Sequence, residues 1–403
     1  MLFSETDLLT ATGCHSCGLW RKCLTPRMKV SGKGKKRILI VGEAPGATED
    51  DVGKHFVGKS GILLRKELKR IQVDLEQDCR IVNAVNCRPP KNRKVTSKEI
   101  DACRSMVWTE IRKNKPKVVL LLGKSAIESV IGVRWKKDLG GVSRWRGLAI
   151  PDKEVGGWIV STYHPAFLLR QTQGFGQREK INEGLLKIFR NDLVHAVSLA
   201  CGNKQIPPCT GILPGIHVLK TEKEALRYLG DLIRRRPPLI AFDYETTGLK
   251  PYEKNQEIVS VAFSEDGREG TAMMLSKSLI PLLRTILNDP NIEKIAANFK
   301  FEDVWSRVFL KTKVRGWVWD TMLAAHVENN REKYTSLSFQ SYIQFGVPDY
   351  DSEIVPLLKS KKGKLNRVRE IPETKLLMYN GIDAVFEFRL AQWQRRMLDG
   401  CYK

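Results

Sequence analysis

The sequence has no apolar run approaching the ~18–20 residues that a membrane-spanning helix needs. It has no basic leader either, because its first ten residues, MLFSETDLLT, carry acids where a secretory signal carries lysine or arginine. Long-period repeats and low-complexity tracts are absent, which excludes solenoids and wholly disordered chains. Acids are scarce: 45 Asp and Glu stand against 68 Lys and Arg. What remains is a 403-residue chain, 42% hydrophobic and 28% charged, that predicts a soluble intracellular protein of two or more domains.

The charge surplus is +23, of which residues 1–200 carry +17 and residues 201–403 carry +6. A basic surface can simply keep a chain soluble, but each Lys or Arg on a phosphate also releases condensed counterions, so this balance favours a nucleic-acid partner. The nine cysteines are uneven. Cys14, Cys17, Cys23, Cys79, Cys87 and Cys103 crowd the first quarter, while Cys201, Cys209 and Cys401 are scattered. An odd count without a leader argues against a disulfide framework, and the CxxC at Cys14–Cys17 suggests a metal or a cluster.

Strand-like and helix-like stretches alternate. RILIV at 37–41 runs into the turn-rich GEAPGA, a helix is predicted near 60–71, CRIVNAVNC at 79–87 reads as a strand, and a helix follows near 97–113. KVVLLLG at 117–123 and WIVST at 158–162 are further short strands. The pattern predicts a parallel sheet with helices on both faces and a ligand site beyond the strands' carboxyl ends. Residues 201–216 mix Gly, Pro and polar residues and read as a linker between a 1–200 domain and a 217–403 domain. In the second, a strand and a helix near 221–234 precede LIAFDYETTG and its hairpin partner at 257–264; IEKIAANFK is a strand entering a helix, and helices are expected to fill most of 318–400.

In order, the first half shows CxxC, GEAPG, NCRPP, a cysteine sixteen residues later and YHPAFLLR. That set resembles the family-4, iron–sulfur uracil-DNA glycosylases. The resemblance implies a uracil-DNA glycosylase-like α/β/α sandwich with Cys14, Cys17, Cys87 and Cys103 as ligands; four thiolates suit a 4Fe-4S cluster or a tetrahedral zinc. Cys23 and Cys79 are left as ordinary small buried residues. A glycosylase flips the nucleotide, holds the base and stabilises charge as the glycosidic bond breaks. The resemblance places Phe56 as the stacking face, Asn83 on the uracil edge and His164 as donor to the leaving base. Glu43 and Glu49 match acidic positions that orient water or stabilise the sugar cation, and the sequence does not choose between them. Arg88, Lys91, Arg93 and Lys94 form a basic loop suited to flanking phosphates. His55 and Ala166 depart from the family's usual Pro and Ser.

In the second half, Asp243 and Glu245 stand two apart in a strand, so both carboxylates face one way, and Tyr379 and Asp383 stand four apart on a helix. With ANFKFED between, the set resembles the 3′–5′ proofreading exonuclease domain of DNA polymerase I. The resemblance implies a ribonuclease H-like mixed sheet and two Mg²⁺ or Mn²⁺ ions on Asp243, Glu245, Asp383 and an acid near 302, with Tyr379 orienting the attacking water. Glu302 fits the spacing and Asp303 the expected residue type, so both are candidates. Asp320 is expected to support the site.

The sequence thus predicts two α/β modules acting on DNA in a bacterial or viral-host cytoplasm, without membrane contact. Two arrangements are expected: a free-standing fusion, or the front part of a split polymerase whose partner is a separate DNA polymerase chain. The rival expectation is a uracil sensor or DNA clamp with one or both centres silent.

Overall fold

The computed structural model describes residues 13–173, 180–360 and 364–401; the acid-bearing start, MLFSETDLLT, lies outside them. The chain forms two units, Met1–Gly211 with Ile343–Pro348, and Ile212–Tyr342 with Asp349–Lys403. Among the described residues no helix is long and apolar enough to cross a membrane.

The first unit is built on strands β1 (Ile38–Gly42), β2 (Cys79–Asn83), β3 (Val118–Leu122), β4 (Ala149–Asp152) and β5 (Gly157–Thr162), ordered β2-β1-β3-β5-β4. All neighbours run parallel except β4, an antiparallel edge that the sequence pattern does not announce. β1, β3 and β5 are buried at every position, as strands covered on both faces must be. Helices α1 (Cys14–Cys17), α2 (Ala47–Val52), α3 (Lys59–Arg70), α4 (Ser97–Asn114), α5 (Pro165–Arg170) and α6 (Glu183–Cys201) accompany the sheet. A capping box fixes the start of α4: Thr96 accepts from the Glu99 N–H while Glu99 accepts from the Thr96 N–H. A short ribbon, β6 (Thr172–Gln173) with β7 (Lys180–Ile181), follows α5.

The second unit holds a mixed sheet of β8 (Gly215–Leu219), β9 (Leu239–Thr246), β10 (Ile258–Ser264), β11 (Glu269–Met274), β12 (Glu293–Ala296) and β13 (Trp317–Asp320), ordered β13-β12-β9-β10-β11-β8. β9 and β10 pair antiparallel, as the hairpin reading expects, whereas β12 runs parallel to both β9 and β13. Helices fill most of 318–400, as expected, and β13 adds four residues, WVWD, to the sheet before the chain turns helical. Helices α7 (Glu222–Arg235), α8 (Ile280–Asn288), α9 (Phe299–Val308), α10 (Thr321–Glu328) and α11 (Glu373–Cys401) complete the described framework used below. One core lies between the sheet and α7 and α8, around Phe242, Phe263, Leu283 and Trp305. Burying such side chains contributes roughly 1.5–3 kcal/mol each. On α11, Leu377 and Ala384 pack against Ala262 and Ala272 of the sheet.

Candidate active sites

β1 and β2 end side by side, Gly42 paired in register with Asn83. A Cβ on Gly42 would stand 2.3 Å from Asn83 Oδ1 and 3.0 Å from Phe56 Cζ. The missing side chain is therefore what lets an amide and an aromatic ring converge. Around them opens a cavity of about 400 Å³ whose lining includes Glu43, Glu49, Phe56, Asn83 and His164. The Asn83 amide has no hydrogen-bond partner among the described residues, so its donor and acceptor remain available to a ligand.

Phe56 has a left-handed backbone, φ 53°, which costs a non-glycine residue ~1–3 kcal/mol. Its carbonyl presses on Gly61 of α3, where a Cβ would lie 1.7 Å away, and accepts from Arg65 Nε at 3.3 Å. His164 caps α5, its Nδ1 accepting from the Ala166 N–H at 3.2 Å. Nδ1 is then unprotonated, so the neutral ring carries its hydrogen on Nε2 and offers it as a donor. Burial, helped by the Arg170 charge, lowers the His164 pKa to about 4 and keeps the ring neutral. The ring stacks on Phe56 with centroids 6.2 Å apart.

The two glutamates part company here. Glu49 accepts from the Gly58 N–H at 2.8 Å and lies against Gly46, bracing the turn after β1 to the start of α3. Glu43 lines the cavity without a side-chain partner among the described residues. The basic loop divides likewise. Arg93 forks onto Glu99, and Arg88 donates to Asn92 at 2.7 Å with Asp50 4.0 Å away. Lys91 and Lys94 make no ion pair among the described residues. Asp50, not anticipated from sequence, is buried and accepts the N–H groups of Leu24 and Thr25, tying the N-terminal segment to α2.

Cys17, Cys87 and Cys103 share one cluster with Leu19, Val85 and Ile100. α1, which carries Cys14, packs on α4; a Cβ on Gly13 would stand 2.7 Å from Ala102 Cα. Burial pushes the Cys87 thiol up to about 12 and Cys103 to about 11. Thiolates held there need a bound cation, so the donor set suits a thiolate-ligated metal group. Cys79 sits apart in the sheet core, as expected. Cys23 is half-buried, packed against the cluster that holds Cys87, with its thiol donating to the Trp20 carbonyl at 3.9 Å.

In the second unit, ligand oxygens of Asp243, Glu245 and Asp383 lie within 4.8 Å of one another. Burial first, and mutual charge second, raises Asp243 and Glu245 well above the usual carboxylate range, the condition a bound cation relieves. Glu302 is buried on α9 with Oε2 unpartnered, and Asp243 raises it further. Asp303 instead accepts from Arg307 at 2.6 Å. Of the two candidates, Glu302 is the one electrostatically joined to the acid group. Asp320 accepts from the N–H groups of Asn298, Phe299, Met322 and Leu323, and so sets the turn that presents α9.

Two further contacts escaped sequence reading. Asn380 donates to Asp243 Oδ2 at 2.7 Å and accepts from Ser260 Oγ at 2.9 Å; Tyr350 donates to Asp383 Oδ1 at 2.6 Å. Asn380 had a signal, lying inside YNGID, but Tyr350 comes from a segment without regular structure. Tyr379 is half-buried, packed beside Ile354 and Leu376, with its ring 6.2 Å from that of Tyr350.

Residues 29–186 match the uracil DNA glycosylase superfamily, and residues 217–398 match the 3′–5′ exonuclease family. The type-4 uracil-DNA glycosylase of Pyrobaculum aerophilum is 37% identical over 174 residues, covering 41% of this chain and 85% of that protein. A DNA polymerase of Bacillus phage SP01 is 24% identical over 392 residues, 91% of this chain but 40% of the polymerase. Among solved structures, Brucella melitensis NrnC aligns with TM-score 0.34 and 19% identity over 47% of this chain and 84% of NrnC. The chain belongs, through its first unit, to the type-4 uracil-DNA glycosylases, and a 3′–5′ exonuclease domain follows it.

Proposed function

We propose that this chain excises uracil from DNA at one centre and digests DNA from its 3′ end at another. The observation that carries the first activity is the convergence of Asn83, Phe56 and the neutral His164 at the ends of β1 and β2. Phe56 stacks the flipped base, and Asn83 pairs its donor and acceptor with the uracil edge. As the C1′–N1 bond breaks, the bond's electron pair stays on the base, and His164 Nε2–H donates to its developing oxyanion. Glu43 orients the water that adds to C1′, while Glu49 holds the turn. Lys91 and Lys94 contact flanking phosphates, and Arg88 and Arg93 shape the loop that carries them.

Cys14, Cys17, Cys87 and Cys103 are the residues that would hold the 4Fe-4S cluster, which supplies a structural staple between the N-terminal segment and α4. Cys23 stands next to that set as a neighbour.

For the second activity, Asp243, Glu245, Asp383 and Glu302 would hold two Mg²⁺ or Mn²⁺ ions, which supply hydroxide and stabilise the leaving 3′ oxygen. Tyr379 orients the attacking water, and Asn380 and Tyr350 fix the rotamers of Asp243 and Asp383. The match along most of the chain to a phage polymerase supports a replicative setting, with a DNA polymerase as functional partner. One gel assay tests both centres: uracil-containing and plain oligonucleotides, with Mg²⁺ or with chelator. Alkali-labile abasic sites should form in either condition, and 3′–5′ ladders only with Mg²⁺. Protein that binds these oligonucleotides yet alters neither would overturn the reading in favour of a clamp.

A further inference from the structure

β2 lies at the edge of its sheet, so every second N–H along it points away from β1 and needs an acceptor of its own. Ala84, just past the strand, donates inward to the Gly42 carbonyl at 2.9 Å, and Ile81 donates outward to the Ser31 carbonyl at 2.9 Å. Asn83 shares the outward parity of Ile81, and a side chain meets its N–H: Asn86 Oδ1 accepts it at 3.2 Å. Asn86 is fully buried. Its amide nitrogen donates to Met106 Sδ at 3.7 Å, on α4 one turn from Cys103, and its own carbonyl accepts from the Met28 N–H at 2.7 Å. With a donor facing it from Asn83 and a thioether from Met106, the amide holds one orientation. The Asn83 side chain, by contrast, has no hydrogen-bond partner among the described residues, so its direction is set from the main chain.

We propose that Asn86 is a positioning residue for uracil excision: its buried side-chain carbonyl holds the Asn83 N–H and so fixes the angle at which the Asn83 amide meets the base. This rests on the glycosylase reading. Asn86 does not line the pocket, and its effect passes through Asn83. Without the acceptor, the peptide at Asn83 is left with a buried, unmet donor, and it relieves that by tilting. The tilt carries the Asn83 amide away from the uracil edge, where a displacement of about 1 Å is enough to slow a reaction. Asn86→Asp and Asn86→Leu separate the acceptor from the space it fills: both match asparagine in size closely enough to pack, and only the first keeps an oxygen toward Asn83.

The test is single-turnover release of uracil from a single-stranded oligonucleotide carrying one uracil, with the full chain in buffer free of divalent metal. Asn86→Leu should slow the maximal rate ~10–100-fold, the effect of a misplaced reacting group, while the Kd for the oligonucleotide stays within about twofold of wild type. Asn86→Asp should release uracil within about threefold of the wild-type rate, because either protonation state leaves an oxygen for the Asn83 N–H. Combined with Asn83→Ala, Asn86→Leu should add nothing, since the group it positions is gone. Wild-type release by Asn86→Leu would overturn the proposal while leaving the glycosylase reading intact. So would Asn86→Asp as slow as Asn86→Leu, or a full further loss in the double variant, either of which marks Asn86 as a packing residue alone. Should Asn86→Leu not fold, Asn86→Ala carries the same expectations. Wild-type protein that releases no uracil overturns the glycosylase reading itself.

Discussion

The glycosylase pocket and the nuclease centre solve opposite electrostatic problems with the same device, strand ends that gather side chains. In the pocket every recognition group is neutral: an amide, a phenyl ring and an imidazole whose proton position is fixed by a backbone N–H. Nothing has to arrive before those groups are in place. In the nuclease centre, ligand oxygens of Asp243, Glu245 and Asp383 lie within 4.8 Å of one another, and burial raises Asp243, Glu245 and Glu302. That arrangement is complete only when cations join it. The contrast teaches that a fold can preorganise dipoles unaided, but concentrated charge has to be shared with a ligand.

The sharpest way to break the contrast is Asp243→Ala, or chelator on the wild type. Either should reduce 3′–5′ digestion to background, measured on a labelled primer, while uracil release continues at the wild-type rate. Glu302→Ala should follow Asp243→Ala, whereas Asp303→Ala, which removes a half-buried carboxylate paired with Arg307, should retain most activity. Comparable losses in both would mean that α9 is turned differently from the structure described here.

Next in size is Asn83→Ala. A preorganised contact to the leaving base is worth about 2.7–4 kcal/mol, so uracil release should slow ~10²–10³-fold with nuclease activity unchanged. A rate within twofold of wild type would show that the base is held elsewhere.

The neutral imidazoles sharpen the comparison through pH. His55 and His164 are both lowered to about 4 by burial. Between that value and the ordinary histidine pKa near ~6.5, the unfolded chain binds more protons than the folded one, so stability rises with pH across the window. The first unit should therefore lose stability as pH falls from ~6.5 toward 4, by roughly 3 kcal/mol for each imidazole at most. Melting of His164→Gln should show a shallower dependence; an unchanged slope would mean that His164 is charged in the fold. Smallest is the effect of the loop lysines. Lys91→Ala and Lys94→Ala should each lower the salt slope of DNA binding by about one, because each releases one phosphate contact, while Arg93→Ala acts through Glu99 and stability instead.

Much of this was legible in residue order. Period-two placement puts Asp243 and Glu245 on one face, and helical spacing does the same for Tyr379 and Asp383, because both depend only on local geometry. β13, β11 and β4 were not legible: each is four to six residues long, too short for alternation to stand out, even though β4 and β11 are hairpin arms beside β5 and β10. The division of labour between Glu43 and Glu49 was hidden for a different reason, since it turns on where Gly58 lies. Asp50 and Tyr350 likewise take their meaning from partners 25 and 33 residues away. Sequence spacing carries local facing well, and carries almost nothing about which long-range donor a carboxylate meets.

The left-handed turn at Phe56 has a practical side. Its course is held by main-chain atoms, the carbonyl seated against Gly61 and gripped by Arg65, and not by the ring it displays. Position 56 therefore behaves as a socket whose fitting can be exchanged. A smaller apolar group, such as leucine, would widen the floor above Gly42 without rerouting the loop, whereas any change at Gly61 would move the socket itself. Anyone reshaping this pocket for a bulkier base has one position to vary and one to leave alone.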